Sequence, residues 1–194
     1  LAREKNVSAI SCFASDPGVK SASIITEALG LRGNNRNSVE ILNNKKKFRN
    51  FFKDKGFFTP KCFISSHLED LISFYPGGKY IMKPVDANAS RGVFIINSIK
   101  DITQNFHKAM NFSKQKEVII EEFIEPAGHL LQGEGFVIDG VLELALFGDT
   151  LFSELNPFLS YMVVFQRQIQ SHVFSREHNL VQDAITLSGL SFGG

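Results

Sequence analysis

Apolar and polar positions change their period several times along the chain, and each change predicts an element. Residues 6–13, NVSAISCF, alternate as a short strand does. Val19, Ile25, Ala28 and Leu29 then recur at helical spacing, with Asp16 as N-cap, Pro17 at the first helical position and Gly30 beyond the last turn. After the polar loop RGNNRN, a second helix runs from Ser38 through NNKKKFRNFFKDKG to Gly56. It carries Lys45 and Arg49 on one face and points Phe48, Phe51 and Phe52 inward. KCFIS reads as a strand, and SHLEDLISFY as a helix with a capping box from Ser66 to Glu69, ended by PGG.

The next strand closes on Lys83, and another begins at Gly92. SIKDITQNFHKAMNF is a capped amphipathic helix with Ile102, Phe106, Ala109 and Met110 inward. EVIIEEFI is a short buried strand with acids at its end. EGFVIDGVLELALFG is a hairpin turning on Asp139-Gly140. LSYMVVFQ adds a strand, and NLVQDAITLSGL a last helix built on Leu180, Ala184 and Leu187. Strands joined by hairpins and mixed with helices predict an α+β protein, not a doubly wound one.

The stretch YIMKPVDANASRGVFII is the least ordinary part of this pattern. Two strands flank a loop of small and polar residues that is longer than the two to five residues of an ordinary hairpin turn. A lysine stands at its entrance. Such a loop suggests that something is held there.

Composition narrows the classes. The 194 residues are 43% hydrophobic, enough for one sizeable core or two small lobes. The 21 basic and 20 acidic residues leave a net charge of +1, which announces no surface for nucleic acid. No apolar run approaches the roughly 18 residues of a membrane span, and the N-terminus lacks a signal-peptide stretch. Cys12 and Cys62 lie far apart and match no metal spacing, as suits small hydrophobes in a reduced cytoplasmic setting. The abrupt start and the ending LSGLSFGG read as a piece of a longer chain.

Three pieces carry candidate chemistry: Lys45 on a helix, Lys83 closing a strand before the small-residue loop, and IEEFIEPAGH about forty residues further on. Taken singly each has an ordinary reading. A strand-end lysine is solvated, NKKKFR is a basic helix face, and Glu121, Glu122 and Glu125 cap a sheet edge.

Their joint order resembles the ATP-grasp ligases, the superfamily of biotin carboxylase, D-alanine–D-alanine ligase and carbamoyl phosphate synthetase. The resemblance rests on KKKFR, GFFTP, YIMKP, ANASRGVFII and EEFIEPAGH, in that order, and covers the chain from about residue 12 onward. It implies an α+β ATP-grasp fold of two lobes with nucleotide between them, its C-terminal part missing. Residues 1–75 would form an N-terminal lobe with a remnant of a preceding domain. Residues 76–125 would form an ATP-clasping subdomain with the phosphate loop, and 126–194 the start of the C-terminal lobe.

The resemblance also implies site roles. Lys83 would reach the α- and β-phosphates and Lys45 the nucleotide from the opposite lobe, as mobile point charges that suit phosphate. The loop 86–92, with Ser90 and Gly92, would cover the phosphates with backbone N–H groups. The family loop often holds several glycines, whereas this one has Asp86, Asn88, Ala89 and Ser90 before Gly92, which suggests a stiffer lid. Arg91 would contact phosphate or the acceptor carboxylate. Glu121 and the backbone around Phe123 and Ile124 would receive the adenine amino edge, and Glu122 or His129 the ribose. Mg2+ would accompany ATP, with its acidic ligands beyond Gly194, since SELNP (153–157) reads as a turn and not a metal site.

The implied reaction joins a small carboxylate, activated by ATP as an acylphosphate, to an amine or similar nucleophile. It needs no side-chain nucleophile, which agrees with the lack of a Ser-His-Asp or Cys-His pattern. A non-catalytic nucleotide-binding module, used for regulation or interaction, is the second reading.

Overall fold

The computed structural model describes residues 2–12, 15–126, 130–153, 156–165 and 171–193. The chain forms two compact units, Leu1–Leu42 with Ala127–Gly194, and Asn43–Pro126.

The expected strand over 6–13 is not formed at residues 7–12, which are irregular and pair with no strand among the described residues. The first helix, α1 (Asp16–Leu29), is capped by Ser15, one residue earlier than expected, because the Ser15 hydroxyl accepts from Gly18 N–H. Its buried residues are Ser23 and Thr26, while Ile25 is exposed. Two hydroxyls can face inward here because both return their hydrogen bonds to helix carbonyls: Ser23 to Lys20, and Thr26 to Ala22 and Ser23.

The expected single helix from Ser38 to Gly56 is two helices, α2 (Arg36–Asn43) and α3 (Lys45–Asp54). Asn44 separates them in extended conformation, and its side chain accepts from Lys47 N–H as the N-cap of α3. The buried amide of Asn44 also donates to Gln115 at 3.0 Å, so a tertiary bond fixes the break. Phe52 is fully inward, and Phe48 and Phe51 are half-buried around it.

Next come β1 (Cys62–Ser65), α4 (Leu68–Phe74), β2 (Tyr80–Pro84), β3 (Phe94–Ile96), α5 (Ile99–Phe112) and β4 (Val118–Glu122). The capping box at Ser66 is not formed. His67 stands at the N-cap without a side-chain cap bond, and Ser65 instead accepts from His67 N–H and donates to Asp70. The four strands make an antiparallel sheet in the order β1-β4-β2-β3. Because β1 pairs with β4, this sheet spans the boundary expected at residue 75. One face buries Tyr80, Met82, Ile96, Val118 and Ile120 against Leu71 of α4 and Ile102, Phe106 and Ala109 of α5.

In the other unit, β5 (Leu130–Ile138), β6 (Val141–Ser153), β7 (Asn156–Phe165), α6 (Ser171–Ser188) and β8 (Phe192–Gly193) give a sheet ordered β7-β6-β5-β8. Asp139 and Gly140 both take positive φ, 50° and 82°, as the two-residue hairpin turn requires. Helix α6 packs on Val137 and Leu142 through Ile185, not through Leu180 and Leu187, which are exposed. Gln182 sets that rotation: its side chain accepts from Leu142 N–H and donates to Gly140 C=O. Among the described residues no helix is long and apolar enough to cross a membrane.

Candidate functional site

The two-residue period of β2 and β4 sorts their side chains. Tyr80, Met82, Val118 and Ile120 enter the core, so Ile81, Lys83, Ile119 and Glu121 share the opposite face. The antiparallel register sets Ile81 opposite Glu121 and Lys83 opposite Ile119, which makes Lys83 and Glu121 diagonal neighbours. Their side chains form an ion pair.

Arg49, four residues after Lys45 on α3, completes the pair from the helix side. Its Nε donates to Glu121 Oε2 at 3.0 Å and its Nη2 to Oε1 at 3.2 Å, a two-pronged grip that uses both carboxylate oxygens. The Glu121 side chain is only 5% exposed, against 22% for Arg49 and 16% for Lys83. Burial alone would push the Glu121 carboxyl up, but the Arg49 hydrogen bonds and the Lys83 charge outweigh it and hold the group below the usual carboxylate range.

Lys45 is the first residue of α3. Its N–H donates to Val85 C=O at 2.8 Å, and its Nζ to Ala87 C=O at 2.7 Å. Burial lowers the pKa of this ammonium from the ordinary lysine value, and the nearby Lys83 charge lowers it further. Lys45, Arg49 and Lys83 thus stand against the carboxylates of Glu121 and Asp86, leaving the cluster net positive.

The loop 86–92 is fastened at its base. Asp86 accepts from Ser113 Oγ (2.8 Å), Lys114 N–H (3.1 Å) and Gln115 N–H (3.0 Å). Further on, Arg91 folds back and donates from N and Nε to Asn88 C=O. Ala89 and Ser90 take positive φ of 56° and 54°, uncommon for residues with a Cβ, and Gly92 follows at 71°. Gly92 is needed on a second count, because a Cβ there would lie 2.8 Å from the Phe112 ring and 3.0 Å from Pro84.

The segment after β4 is tied on both sides. Glu122 N–H donates to Lys61 C=O, and the Glu122 carboxylate accepts from Lys61 N–H. Phe123 N–H donates to Lys79 C=O, while the Lys79 ammonium lies 4.1 Å over the Phe123 ring and pairs with Glu125. Ile124 is exposed. His129 lies outside the described residues.

The structure therefore brings Lys45, Lys83 and Glu121 together with Arg49, sets Ser90, Arg91 and Gly92 on the fastened loop, and places Glu122, Phe123 and Ile124 just past the strand that carries Glu121. The sequence reading gave no role to Asn44 or to the Asp86–Ser113 clasp. The NN pair before KKKF was a usable N-cap signal for Asn44, whereas the clasp joins residues 27 apart and leaves no local trace. Cys12 and Cys62 are free and half-buried; burial, and next the Glu121 charge, push the Cys62 thiol up, away from reactivity. Among the described residues no group of three or more His, Cys, Asp or Glu side chains could hold a metal ion.

No family model matches the chain. Among curated proteins it is 31% identical to cyanophycin synthetase of Crocosphaera subtropica over 109 residues, which is 54% of this chain and 12% of that protein. Among solved structures it superimposes on an L-amino acid ligase from Bacillus licheniformis with a TM-score of 0.78 at 20% identity, covering 99% of this chain and 45% of that one. It also superimposes on the biotin carboxylase domain of Hydrogenobacter thermophilus 2-oxoglutarate carboxylase, solved with MgADP, ADP and bicarbonate. There the TM-score is 0.76 at 17% identity, covering 98% of this chain and 44% of that one. The chain thus spans an eighth of the curated relative's length and less than half of either solved structure.

Proposed function

From the ATP-grasp fold that this chain has, we infer that the ammonium groups of Lys83 and Lys45 bind the phosphates of ATP, with the Glu121–Arg49 pair beside them. The chain would then be the nucleotide-binding part of an ATP-dependent ligase. The observation that carries this reading is a net positive, half-buried cluster beside a fastened loop of small residues, in the order that the resemblance requires.

Lys83 and Lys45 offset the phosphate charge as point donors. The backbone of 86–92, with Ser90 and Gly92, lies over the phosphates. Arg91 is set on that loop to meet phosphate or the carboxylate to be activated. The backbone around Phe123 and Ile124 takes the adenine edge, and Glu122 or His129 the ribose.

The reaction is attack of a small carboxylate on the terminal phosphorus, departure of ADP, and displacement of phosphate from the acylphosphate by an amine. In such a step, positioning and charge neutralisation supply most of the catalysis. MgADP accompanies the biotin carboxylase neighbour. Among the described residues no group of three or more His, Cys, Asp or Glu side chains could hold a metal ion, and the roles on this chain are those of the lysines and the loop.

The test is calorimetry of ATP binding to this chain, with and without Mg2+, beside Lys83→Met. Binding by the wild type that Lys83→Met abolishes supports the site. A folded chain that binds no ATP, or binds it equally well without Lys83, overturns it.

A further inference from the structure

The carboxylate of Glu121 has both oxygens engaged by Arg49 and a third contact from Lys83. It is nearly inaccessible, which leaves little of it to meet a ligand. We propose that Glu121 is a positioning residue. Its buried carboxylate, locked by the Arg49 fork, anchors the Lys83 ammonium on the site face of the sheet.

The inference rests on the nucleotide reading above and deepens it. A lysine has four rotatable bonds and loses that freedom only where something holds it. Lys83 leaves a strand whose neighbouring residues Met82 and Pro84 are fully buried on the opposite face, so its backbone is fixed and the side chain needs an anchor at its end. Glu121 supplies that anchor from the paired strand. Arg49 supplies the geometry, because a planar fork on both oxygens fixes the plane of the carboxylate.

The direction of the effect separates this role from simple charge summation. Removing the Glu121 charge makes the cluster more positive, which by itself would tighten ATP. Loss of the anchor would weaken it. The measurement is ATP affinity of wild type, Glu121→Gln and Arg49→Lys by calorimetry, with adenosine as the phosphate-free comparison.

Both substitutions are expected to weaken ATP, Glu121→Gln by about tenfold, the worth of one hydrogen bond to a charged group. Adenosine affinity should stay unchanged. ATP binding that is equal or tighter in Glu121→Gln, or an equal loss for adenosine, overturns the proposal while leaving the Lys83 site standing. Should Glu121→Gln lose its far-UV dichroism, Arg49→Lys decides alone: it keeps the charge and removes the fork, and unchanged ATP affinity would overturn the role. A wild-type chain that binds no ATP removes the reading on which the inference stands.

Discussion

Replacing Asp86 by Ala tests whether the small-residue loop is held at its base. The substitution removes the acceptor of three hydrogen bonds, from Ser113 Oγ, Lys114 N–H and Gln115 N–H. The three are not equal. Lys114 and Gln115 are exposed, so their N–H groups turn to water at a cost of a few tenths of a kcal/mol each. Ser113 is buried at 2% exposure; its oxygen still accepts from Glu117 N–H, but its O–H would lose its acceptor inside the protein, which costs about 1.5 kcal/mol. The sum is about 2 kcal/mol.

Since the chain has two compact units, one unfolding midpoint would mix them. Amide exchange of Met82, Ile119 and Ile120, whose side chains are fully buried in unit 43–126, reads the right unit. Their protection should fall about 30-fold, the equivalent of 2 kcal/mol. Ser113→Ala should cost less, and the double variant should show coupling of about 1 kcal/mol. Unchanged protection in Asp86→Ala, or strict additivity with Ser113→Ala, would refute the claim that this clasp fixes the loop.

Two more outcomes follow from the same geometry. Gly92→Ala should destabilise this unit by about 1–3 kcal/mol, because a Cβ at positive φ meets Phe112 and Pro84; the same exchange experiment checks it. Acid should act through Glu121. Its folded pKa is depressed, so its contribution is fully present above the ordinary glutamate value and is lost as pH falls through the lowered folded value. Acid unfolding of the wild type should therefore steepen below the ordinary glutamate range, and Glu121→Gln should remove that part of the slope.

Much of the local structure was legible in the sequence because it rests on local rules. The hairpin at Asp139-Gly140, the Ser98-capped helix with Ile102, Phe106 and Ala109 inward, and the existence of strands around YIMK and VIIEE all follow from turn chemistry, capping and period, although these strands run to Pro84 and Glu122. So did the joint order of Lys45, Lys83 and EEFI, which survives as an ordered string whatever the fold does.

Tertiary contacts decided the rest. Residues 7–12 alternate but pair with no strand among the described residues. Asn44 breaks a helix that propensity alone would continue, because its amide finds Gln115. Which face of α1 is covered sets Ser23 and Thr26 inward in place of Ile25, and the helix's own carbonyls make that burial tolerable by accepting from both hydroxyls. Helix α6 is rotated onto Ile185 by Gln182 gripping the hairpin. At the site, the strand register alone could set Lys83 beside Glu121, and only the packing of α3 could bring Arg49 to the same carboxylate. A sequence displays residue types and spacing, whereas the partner that makes a buried charge tolerable is chosen by which chain segments meet in space.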